Sequence, residues 1–423
     1  MAECTEKPPP VKLINPFSWI TCPSVSLFDP AVNLSYYISA AIWFVNFYGG
    51  QFEIMIYRTY GSTGVEVSAV GFGGMRFDEK DLDSCAELVK TAYDAGINYF
   101  DTAPGYGESE KIFGAAFKQM KKTRSQKPFY VSTKTLKDSP GEVRKDLEAS
   151  LKKLNLDYID FYHFWYVLSL DVYHQRKANG VLKEFEKLRD EGLIKHICVS
   201  THMPGPDIDK MLRDYPFEGI LLGYSAMNFA YRQTALETAA KLKLGVVIMN
   251  PLGGGIIPQH PEKFAFVKTR PDETVVEGAI RFLLNDSRIT IALVGIGHPK
   301  HIKEAVAAVD GYKPIPQKTI KKIRAALNES FNELCTVCQY CDDCPQGIDV
   351  PKLMDAYNHY VLMGKEADAI FRLEMHWGFK LDDDFLKDCI ECGQCEKACT
   401  QKLPIRQRLK TLRQMVKKHL ASK

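Results

Sequence analysis

The chain has 423 residues, of which 45% are apolar and 25% are charged, and these fractions are typical of a globular protein. Its length exceeds the usual size of one hydrophobic core, so at least two domains are expected. A formal net charge of +3 is too small to indicate a nucleic acid or an anionic membrane as a partner.

Residues 1–54 differ in composition from the rest of the chain. Lys7–Pro10 is rich in proline, and Tyr36–Tyr48 is an aromatic and apolar run without a clear period. This run is shorter than the ~20 residues that span a bilayer, so no membrane span is expected, and a buried or interfacial helix is one interpretation. Because Met55 opens a segment typical of a domain start, we hypothesise that residues 1–54 are an upstream extension that is not translated in the cell.

From Met55 onward, short β-rich segments alternate with helical patterns. The β-rich segments are Val65–Phe72, Tyr99–Asp101, Phe129–Thr133, Ile159–Phe164, His196–Ser200, Gly219–Leu222, Val246–Met249 and Ile291–Val294. The helical patterns between them include Leu82–Ala95, Gly141–Leu154, Val181–Glu191, Gln233–Leu242 and Val276–Leu284. Eight strand–helix units over about 250 residues predict a (β/α)8 barrel over residues 55–316. A doubly wound sheet is the alternative, although it usually has fewer strands.

Three polar residues fall where such a barrel carries its function, at strand C-terminal ends and in the loops that follow. Asp101 ends the second predicted strand, Tyr106 lies five residues further on, and Lys134 ends the third strand. Reduction of a carbonyl places a hydride on carbon and a proton on oxygen, and a neighbouring ammonium lowers the pKa of a tyrosine from about 10. We therefore predict that Tyr106 donates the proton, with Lys134 charged and oriented by Asp101. The alternative is a loop tyrosine beside a structural ion pair.

These residues, together with the opening MIYRTYGSTGVEVSAVGFGGMRF and Arg76 within it, resemble the aldo-keto reductases over roughly residues 55–309. The resemblance implies a proton relay and a small carbonyl or alcohol substrate. At the position of the family's histidine this sequence has Trp165, and His163 lies two residues earlier on the same strand face, about 6.6 Å deeper. His163 either polarises the substrate oxygen or is a buried core histidine.

Glycine-rich sequence after the seventh predicted strand indicates a cofactor-binding loop. Gly253, Gly254 and Gly255 allow backbone amides to approach a pyrophosphate, as the loops after strands seven and eight do in many barrels. The preceding Pro251 and Leu252 complete the candidate loop. Three glycines alone are weak evidence, because loops collect glycine for other reasons.

The family resemblance adds cofactor residues elsewhere on the barrel. It implies that the segment Ser200, Thr201 and His202, together with Asn228, lies near the nicotinamide, and that Glu304 lies near the adenine. NAD(P)H is therefore the expected cofactor.

Two departures from the family pattern leave the choice of cofactor open. Met249 stands where the family usually has an aromatic residue that stacks on the nicotinamide. Gly295 replaces the basic residue expected at a 2′-phosphate, for which Lys300 or His301 is a substitute. NAD, NADP and a flavin all remain candidates.

Eight of the 12 cysteines lie in two runs near the C terminus. The first run is Cys335, Cys338, Cys341 and Cys344, and the second is Cys389, Cys392, Cys395 and Cys399. A thiolate at every third residue directs three sulfurs to one centre, and in the bacterial ferredoxin run the fourth cysteine binds the other cluster. We therefore predict two 4Fe-4S clusters, each with the last cysteine of the opposite run. The first run has one residue fewer than this pattern before its last cysteine. Structural zinc is the alternative, although zinc usually binds separated Cys-x2-Cys pairs.

Residues 317–423 resemble the dicluster ferredoxin domain found in redox enzymes of anaerobes, and three amphipathic or basic helices accompany the cysteines. They are predicted at Pro351–Val361, Glu366–Trp377 and Arg406–Lys418. A further helix over Gln317–Asn332 joins the domain to the barrel without a Gly/Ser linker, so direct docking is expected. Cysteines gathered in ligand runs are typical of a reducing compartment, which indicates a cytoplasmic protein.

Three functions are compatible with these patterns. The first, which we favour, is an aldo-keto reductase-like oxidoreductase whose clusters conduct electrons, with a ferredoxin or other electron-transfer protein as partner. Because nicotinamide passes an electron pair and each cluster passes one electron, direct exchange needs a splitter, normally a flavin. The second is an NAD(P)H carbonyl reductase with structural clusters. The third is a regulatory barrel, which Trp165 and Met249 suggest and the retained Asp101, Tyr106 and Lys134 argue against.

Overall fold

The computed structural model describes residues 44–48, 51–78, 81–226, 232–326, 333–336 and 338–422. Ahead of the main domain, β1 (Phe44–Tyr48) pairs antiparallel with β2 (Gln51–Met55). The interpretation of Tyr36–Tyr48 as a helix is therefore wrong for Phe44–Tyr48, which form a strand. Residues 1–43 lie outside the described residues. No helix in the described ranges is both long and apolar enough to cross a bilayer.

A short hairpin precedes the barrel and closes its N-terminal end. It consists of β3 (Tyr57–Thr59) and β4 (Glu66–Ser68), paired antiparallel. The sequence predicted one strand over Val65–Phe72, but the chain changes partners at Ser68. The Ser68 amide donates to the Asn98 side chain and the Ser68 hydroxyl donates to the Val70 carbonyl, both at 2.7 Å. These local bonds separate the hairpin strand from the barrel strand that follows.

Eight parallel strands form a closed barrel, which confirms the predicted (β/α)8 fold. They are β5 (Val70–Gly73), β6 (Tyr99–Asp101), β7 (Tyr130–Thr135), β8 (Ile159–Val167), β9 (Ile194–Thr201), β10 (Gly219–Gly223), β11 (Gly245–Met249) and β12 (Ile291–Gly295). The helices around it are α1 (Leu82–Asp94), α2 (Ser109–Met120), α3 (Pro140–Leu154), α4 (Leu170–Ala178), α5 (Val181–Asp190), α6 (Gly205–Asp214), α7 (Gln233–Lys241), α8 (Ile256–Gln259), α9 (Val275–Leu284) and α10 (Pro299–Ala307). All eight predicted strand positions are occupied by barrel strands.

The bottom of the barrel is filled by one aromatic side chain from the hairpin loop. Tyr60 is fully buried and its ring lies 4.1 Å from the ring of Phe161, between centroids. Gly219 and Gly245, which pair with each other on β10 and β11, provide the space for it. A Cβ atom on either glycine would lie within 2.2 Å of a Tyr60 atom. The barrel is therefore sealed at this end, and access to its interior is from the opposite end.

The C-terminal domain is helical, as predicted, and surrounds the cysteine runs. Its helices are α11 (Gln317–Ala326), α12 (Val350–Met363), α13 (Glu366–Phe371), α14 (Gln394–Ala398) and α15 (Ile405–Ala421), and a π-helical turn (Arg372–His376) follows α13. The Asn358 side chain on α12 brackets Cys335, accepting from its amide and donating to its carbonyl at 2.8 Å each. The second half of the predicted helix Gln317–Asn332 lies outside the described residues.

The C-terminal domain packs against the barrel beside the loop that follows β11. Val361 and Leu362 of α12 contact the barrel's hydrophobic core. Arg372 donates to Gln259 at 3.1 Å, and the rings of His260 and His359 are 4.6 Å apart. Apolar packing and polar contacts thus join the two domains directly.

Replacement of Gly219 by Ala is expected to destabilise the barrel, because the added methyl group overlaps the Tyr60 ring. Overpacking of this kind costs about 2 kcal/mol in free energy of unfolding. The midpoint of urea unfolding, followed by circular dichroism, measures the effect. Gly141→Ala is the control, because a Cβ there meets nothing within 4 Å. Equal midpoints for the two variants would contradict the packing described for Tyr60.

Candidate active site

A cavity of about 820 Å³ opens at the C-terminal end of the barrel strands and is called the mouth cavity here. Barrel residues from the loops after β5, β6, β11 and β12 line most of it, among them Asp101 and Tyr106. The C-terminal domain contributes two further residues, Cys338 and Tyr340. Both domains therefore form the walls of one cavity.

A buried ion pair lies directly under this cavity. The Lys134 ammonium donates to both carboxylate oxygens of Asp101, at 2.7 and 2.6 Å, and the Ser132 hydroxyl donates to the same carboxylate at 2.7 Å. Lys134 is fully buried and Asp101 is 2% exposed. The barrel strands set this geometry, since Asp101 on β6 pairs in register with Ser132 on β7. The sequence correctly placed the two charges at one rim.

Tyr106 lies above the ion pair, with its ring centroid 5.3 Å from the Lys134 nitrogen. Burial raises the pKa of Tyr106 well above its usual value, and the neighbouring Tyr340 and Asp101 raise it further. This direction is opposite to the predicted lowering by Lys134. The physical reason is that burial, which disfavours the charged phenolate, is the largest influence on this phenol. Tyr106 is therefore a neutral phenol with a proton to donate.

His163 lies within the barrel, beside Lys134 in the register of β7 and β8. Its side chain is fully buried, and among the described residues neither ring nitrogen has a hydrogen-bond partner. Burial, reinforced by the Lys134 charge, lowers the pKa of His163 to about 3. His163 is not among the described residues that line the mouth cavity. Of the two interpretations of the sequence, this position favours a neutral core histidine.

The end of β8 is irregular, and the irregularity directs two aromatic side chains towards the C-terminal domain. Between Phe164 and Val167 the pairing with β9 gains one residue, which is a β-bulge. Tyr166, inside the bulge, has a φ of 67°, a strained conformation for a bulky residue. The Trp165 indole nitrogen donates to the Tyr340 hydroxyl at 3.3 Å, and the Tyr166 ring contacts the Tyr340 ring edge-to-face at 5.0 Å.

The predicted cofactor loop borders the mouth cavity. Pro251, Leu252, Gly254 and Gly255 line it, and Gly253 lies between them. The three glycines have φ angles of 61°, 72° and 104°, which side-chain-bearing residues rarely adopt. The glycine run is thus required by the backbone path of this loop.

Another part of the cavity wall carries ionisable groups from α10, where the Lys300 ammonium lies 3.7 Å from the Glu304 carboxylate and burial lowers the pKa of His301. Lys300, His301 and Glu304 of α10 all line the cavity. Gly295 also lines it, and a Cβ atom there would lie 3.0 Å from the Arg76 side chain. The aliphatic part of the Arg76 side chain therefore occupies the place of a larger residue at position 295.

The segment predicted to lie near the nicotinamide is only partly at the cavity. Ser200 and Thr201 are buried and are not among the described lining residues, because the Thr201 hydroxyl donates to the Val167 carbonyl at 2.7 Å. His202 does line the cavity. Its ring meets the Tyr340 ring edge-to-face at 4.8 Å, and burial lowers its pKa well below the usual value. Asn228 lies outside the described residues.

The eight cysteines of the two runs are divided between two small cavities. Cys335, Cys338, Cys341 and Cys399 line the first, called the proximal site here because Cys338 also borders the mouth cavity. Cys344, Cys389, Cys392 and Cys395 line the second, called the distal site. Each run thus places its last cysteine beside the first three cysteines of the opposite run, despite the shorter spacing before Cys344.

The residues present at the two sites fit iron–sulfur clusters. None of these cysteines forms a disulfide. Burial and the neighbouring Cys338 and Cys399 raise the pKa of Cys341 to about 12, which shows how closely the thiols of the proximal site are grouped. The Leu403 amide donates to the Cys399 sulfur at 3.3 Å, as amides do to cluster ligands. Within the described ranges, no three His, Cys, Asp or Glu side chains are grouped for a single metal ion.

The chain is similar to characterised families in both of its parts. The model of the aldo/keto reductase family matches residues 69–328, and that of the 4Fe-4S dicluster domain matches residues 334–403. L-galactose dehydrogenase from Arabidopsis thaliana is 29% identical over 310 residues, 65% of this chain and 95% of that protein. Aldo-keto reductase YhdN from Bacillus subtilis (strain 168) is 27% identical over 327 residues, 66% of this chain and 96% of that protein. The solved holo form of aldo-keto reductase AKR11C1 from Bacillus halodurans has a TM-score of 0.56 and 20% identity, covering 65% of this chain and 97% of that one. This structural likeness shows the fold alone.

Loss of one partner of the Asp101–Lys134 pair is expected to destabilise the barrel strongly, because the other charge is left buried and unpaired. Lys134→Met should lower the free energy of unfolding by about 3–5 kcal/mol. The combination of Asp101→Asn with Lys134→Met should cost less than the sum of the single variants. Urea unfolding measures all three.

The exposed pair Lys90 and Asp94, whose charged atoms are 3.7 Å apart, is the control. Lys90→Met should change the unfolding free energy by less than about 0.5 kcal/mol. If the losses of unfolding free energy in the two single variants add up to the loss in the double variant, the buried pair at positions 101 and 134 is not coupled.

The division of cysteines between the two sites is tested by removing one ligand. Cys399→Ala should expose Cys335, Cys338 and Cys341 to alkylation, while the cysteines of the distal site stay protected. Cys344→Ala should do the reverse. Mass spectrometry after anaerobic alkylation, with iron analysis, measures both outcomes, and Cys85→Ala is the control for a cysteine outside the sites. Exposure of Cys389, Cys392 and Cys395 in the Cys399 variant would contradict the assignment.

Proposed function

Since the chain belongs to the aldo/keto reductase family and carries a 4Fe-4S dicluster domain, it is an oxidoreductase, and we propose that it interconverts a small carbonyl compound and its alcohol. We further propose that its two clusters conduct electrons between the mouth cavity and an electron-transfer protein such as a ferredoxin. The observation that carries this proposal is that Asp101, Tyr106, Cys338 and Tyr340 line one cavity.

In the reductive direction, Tyr106 supplies the proton. The C=O double bond opens as a hydride forms the new C–H bond, and the Tyr106 proton forms the O–H bond. Solvent then returns a proton to the phenolate. Tyr106 is protonated when a substrate arrives, and because burial raises its pKa, proton transfer depends on stabilisation of the phenolate that forms. Lys134, held by Asp101, stabilises the phenolate that proton transfer leaves behind.

The residues around the cavity suit a dinucleotide. The loop Pro251–Gly255 and the basic groups of Lys300, His301 and Arg76 would hold its phosphates, and Glu304 would hold the adenine side. A nicotinamide bound there supplies a hydride, whereas a flavin also passes single electrons. Met249 lines the cavity at the position where the family resemblance implies an aromatic residue that stacks on the nicotinamide. The proposal therefore includes both a nicotinamide and a flavin.

The route for electrons is supported by the different exposure of the two cysteine sites. At the proximal site Cys335 and Cys399 are each 8% exposed, and Cys338 borders the mouth cavity. At the distal site Cys392 is exposed, and its neighbour Ile390 is 63% exposed. One site thus lies beside the chemistry and the other at the surface, where an electron-transfer protein has access.

The substrate class is supported by the relatives. L-galactose dehydrogenase, whose name describes carbonyl and alcohol chemistry on a sugar, aligns with this chain over 95% of its own length. We propose the same class of reaction here, on a small polar carbonyl compound or alcohol.

A carbonyl reductase with structural clusters is the second candidate. The bracket of Cys335 by Asn358 and the packing of α12 on the barrel favour it, because both are ways to brace a fold. A regulatory barrel is less well supported, since such a protein has no use for a buried Asp101–Lys134 pair under an open cavity.

The test starts from protein purified without oxygen, with iron and sulfide measured first. With a flavin bound, addition of NADH or NADPH should bleach the visible absorbance of the clusters, because the flavin takes up the electron pair and passes single electrons to them. Eight irons without bleaching, but with reduction of an aldehyde, would favour structural clusters. Zinc in place of iron would overturn the cluster assignment.

Tyr106→Phe is the matched variant for the barrel chemistry. It should lower aldehyde reduction by about 10²–10⁴-fold, because the proton donor is lost while the ring remains. Bleaching by the nicotinamide should be retained, because that step needs no carbonyl proton. Unchanged aldehyde reduction in this variant would contradict the role of Tyr106.

A further inference from the structure

We propose that Tyr340, a residue of the cluster-binding domain, is a catalytic residue of the barrel reaction. Its phenol would donate a hydrogen bond to the carbonyl oxygen that Tyr106 protonates. This inference rests on the proposed carbonyl chemistry. It assigns to Tyr340 the polarisation of the substrate oxygen, for which the sequence offered His163 as a candidate.

The first observation is position. Tyr340 lines the mouth cavity together with Asp101 and Tyr106. One indole contacts both phenols: the Trp165 ring lies 5.9 Å from the Tyr106 ring, and its nitrogen donates to the Tyr340 hydroxyl at 3.3 Å. The two hydroxyl-bearing rings therefore flank the same part of the cavity.

The second observation is the direction of the hydrogen bond. The Trp165 nitrogen is a donor only, so the Tyr340 oxygen must accept from it. A phenol that accepts one bond still has its own O–H to donate. Trp165 thus fixes the oxygen of Tyr340 and leaves its proton for a group in the cavity.

The third observation is that the ring of Tyr340 is held from several sides. Tyr166, in the strained bulge of β8, contacts it at 5.0 Å, and His202 contacts it at 4.8 Å. Both contacts are edge-to-face, the favourable geometry for aromatic pairs. A residue held this closely has little freedom to lose when it meets a substrate.

The fourth observation comes from comparing the two cysteine runs. Gln339 follows Cys338 with a φ of 67°, and Gly393 follows Cys392 with a φ of 74°, so the two loops turn in the same way. The next residue is Tyr340 in one run and Gln394 in the other. Cluster binding by this loop therefore does not need a tyrosine, and the side chain of Tyr340 contacts Trp165, Tyr166 and His202 of the barrel.

These observations define what Tyr340 does during the reaction. As hydride reaches the carbonyl carbon, negative charge develops on the oxygen, and a hydrogen bond to it strengthens. Tyr106 gives up its proton to that oxygen, and Tyr340 keeps its own. His163 is unsuited to this task, because it is fully buried beside Lys134 and is not among the described residues that line the cavity.

The experiment uses the full chain with both clusters and 4-nitrobenzaldehyde as the probe. Tyr340→Phe should lower kcat for aldehyde reduction by about 10²-fold, with a smaller change in KM, because the bond strengthens in the transition state. Tyr340→Gln, which copies the second run, should retain iron, sulfide and the visible spectrum of the wild type. Tyr360→Phe, another tyrosine of the same domain, is the control and should leave kcat unchanged.

A binding measurement separates this inference from the proposed function. The infrared stretch of the bound ¹³C-labelled carbonyl should shift to higher frequency in Tyr340→Phe, because a hydrogen bond is lost. A frequency difference between wild type and Tyr340→Phe, in a protein that does not turn the aldehyde over, would contradict the proposed function and support the role of Tyr340. Aldehyde that does not bind, or a frequency and kcat unchanged by Tyr340→Phe, would overturn the role of Tyr340.

Discussion

The Asp101–Lys134 ion pair under the mouth cavity is the constraint on which the active end of the barrel depends. Two opposite charges are removed from water there, and a buried pair of this kind seldom adds stability over apolar residues of similar size. Its retention is explained by its place, since the barrel register brings it beneath Tyr106. The pair supplies a fixed field at the position where a phenol must lose its proton.

The C-terminal domain completes this site rather than covering it. The barrel has Trp165 at the position where the family resemblance implies a histidine, and the bulge at this strand end brings Trp165 into contact with Tyr340. An indole cannot exchange a proton, but it can hold the oxygen of a phenol. The change in the barrel and the tyrosine between two cluster cysteines are therefore two halves of one arrangement, which neither domain forms alone.

Sequence patterns predicted the barrel, the rim charges and the cysteine exchange, because each follows from local periodicity or spacing. They failed where a distant segment decides the outcome. The pKa of Tyr106 is raised by burial and then by the charge interaction with Tyr340, which lies more than 200 positions later in the chain. Thr201 turns away from the cavity to bind the Val167 carbonyl, and Arg76 fills the space beside Gly295. A signal for Tyr340 was present, since the second run has glutamine at the same position.

The unequal surroundings of the two cysteine sites bear on what a second cluster is for. A cluster that only stabilises the interface between the domains is expected at the proximal site, next to Trp165 and α12. The distal site is lined by residues of the C-terminal domain, and its Cys392 is open to solvent. Exposure of a thiolate ligand is a hazard for a structural site, because it admits oxidants. The same exposure is what a partner needs in order to exchange electrons, and the proximal site then links that surface to the cavity. The arrangement of the eight cysteines thus favours conduction over bracing.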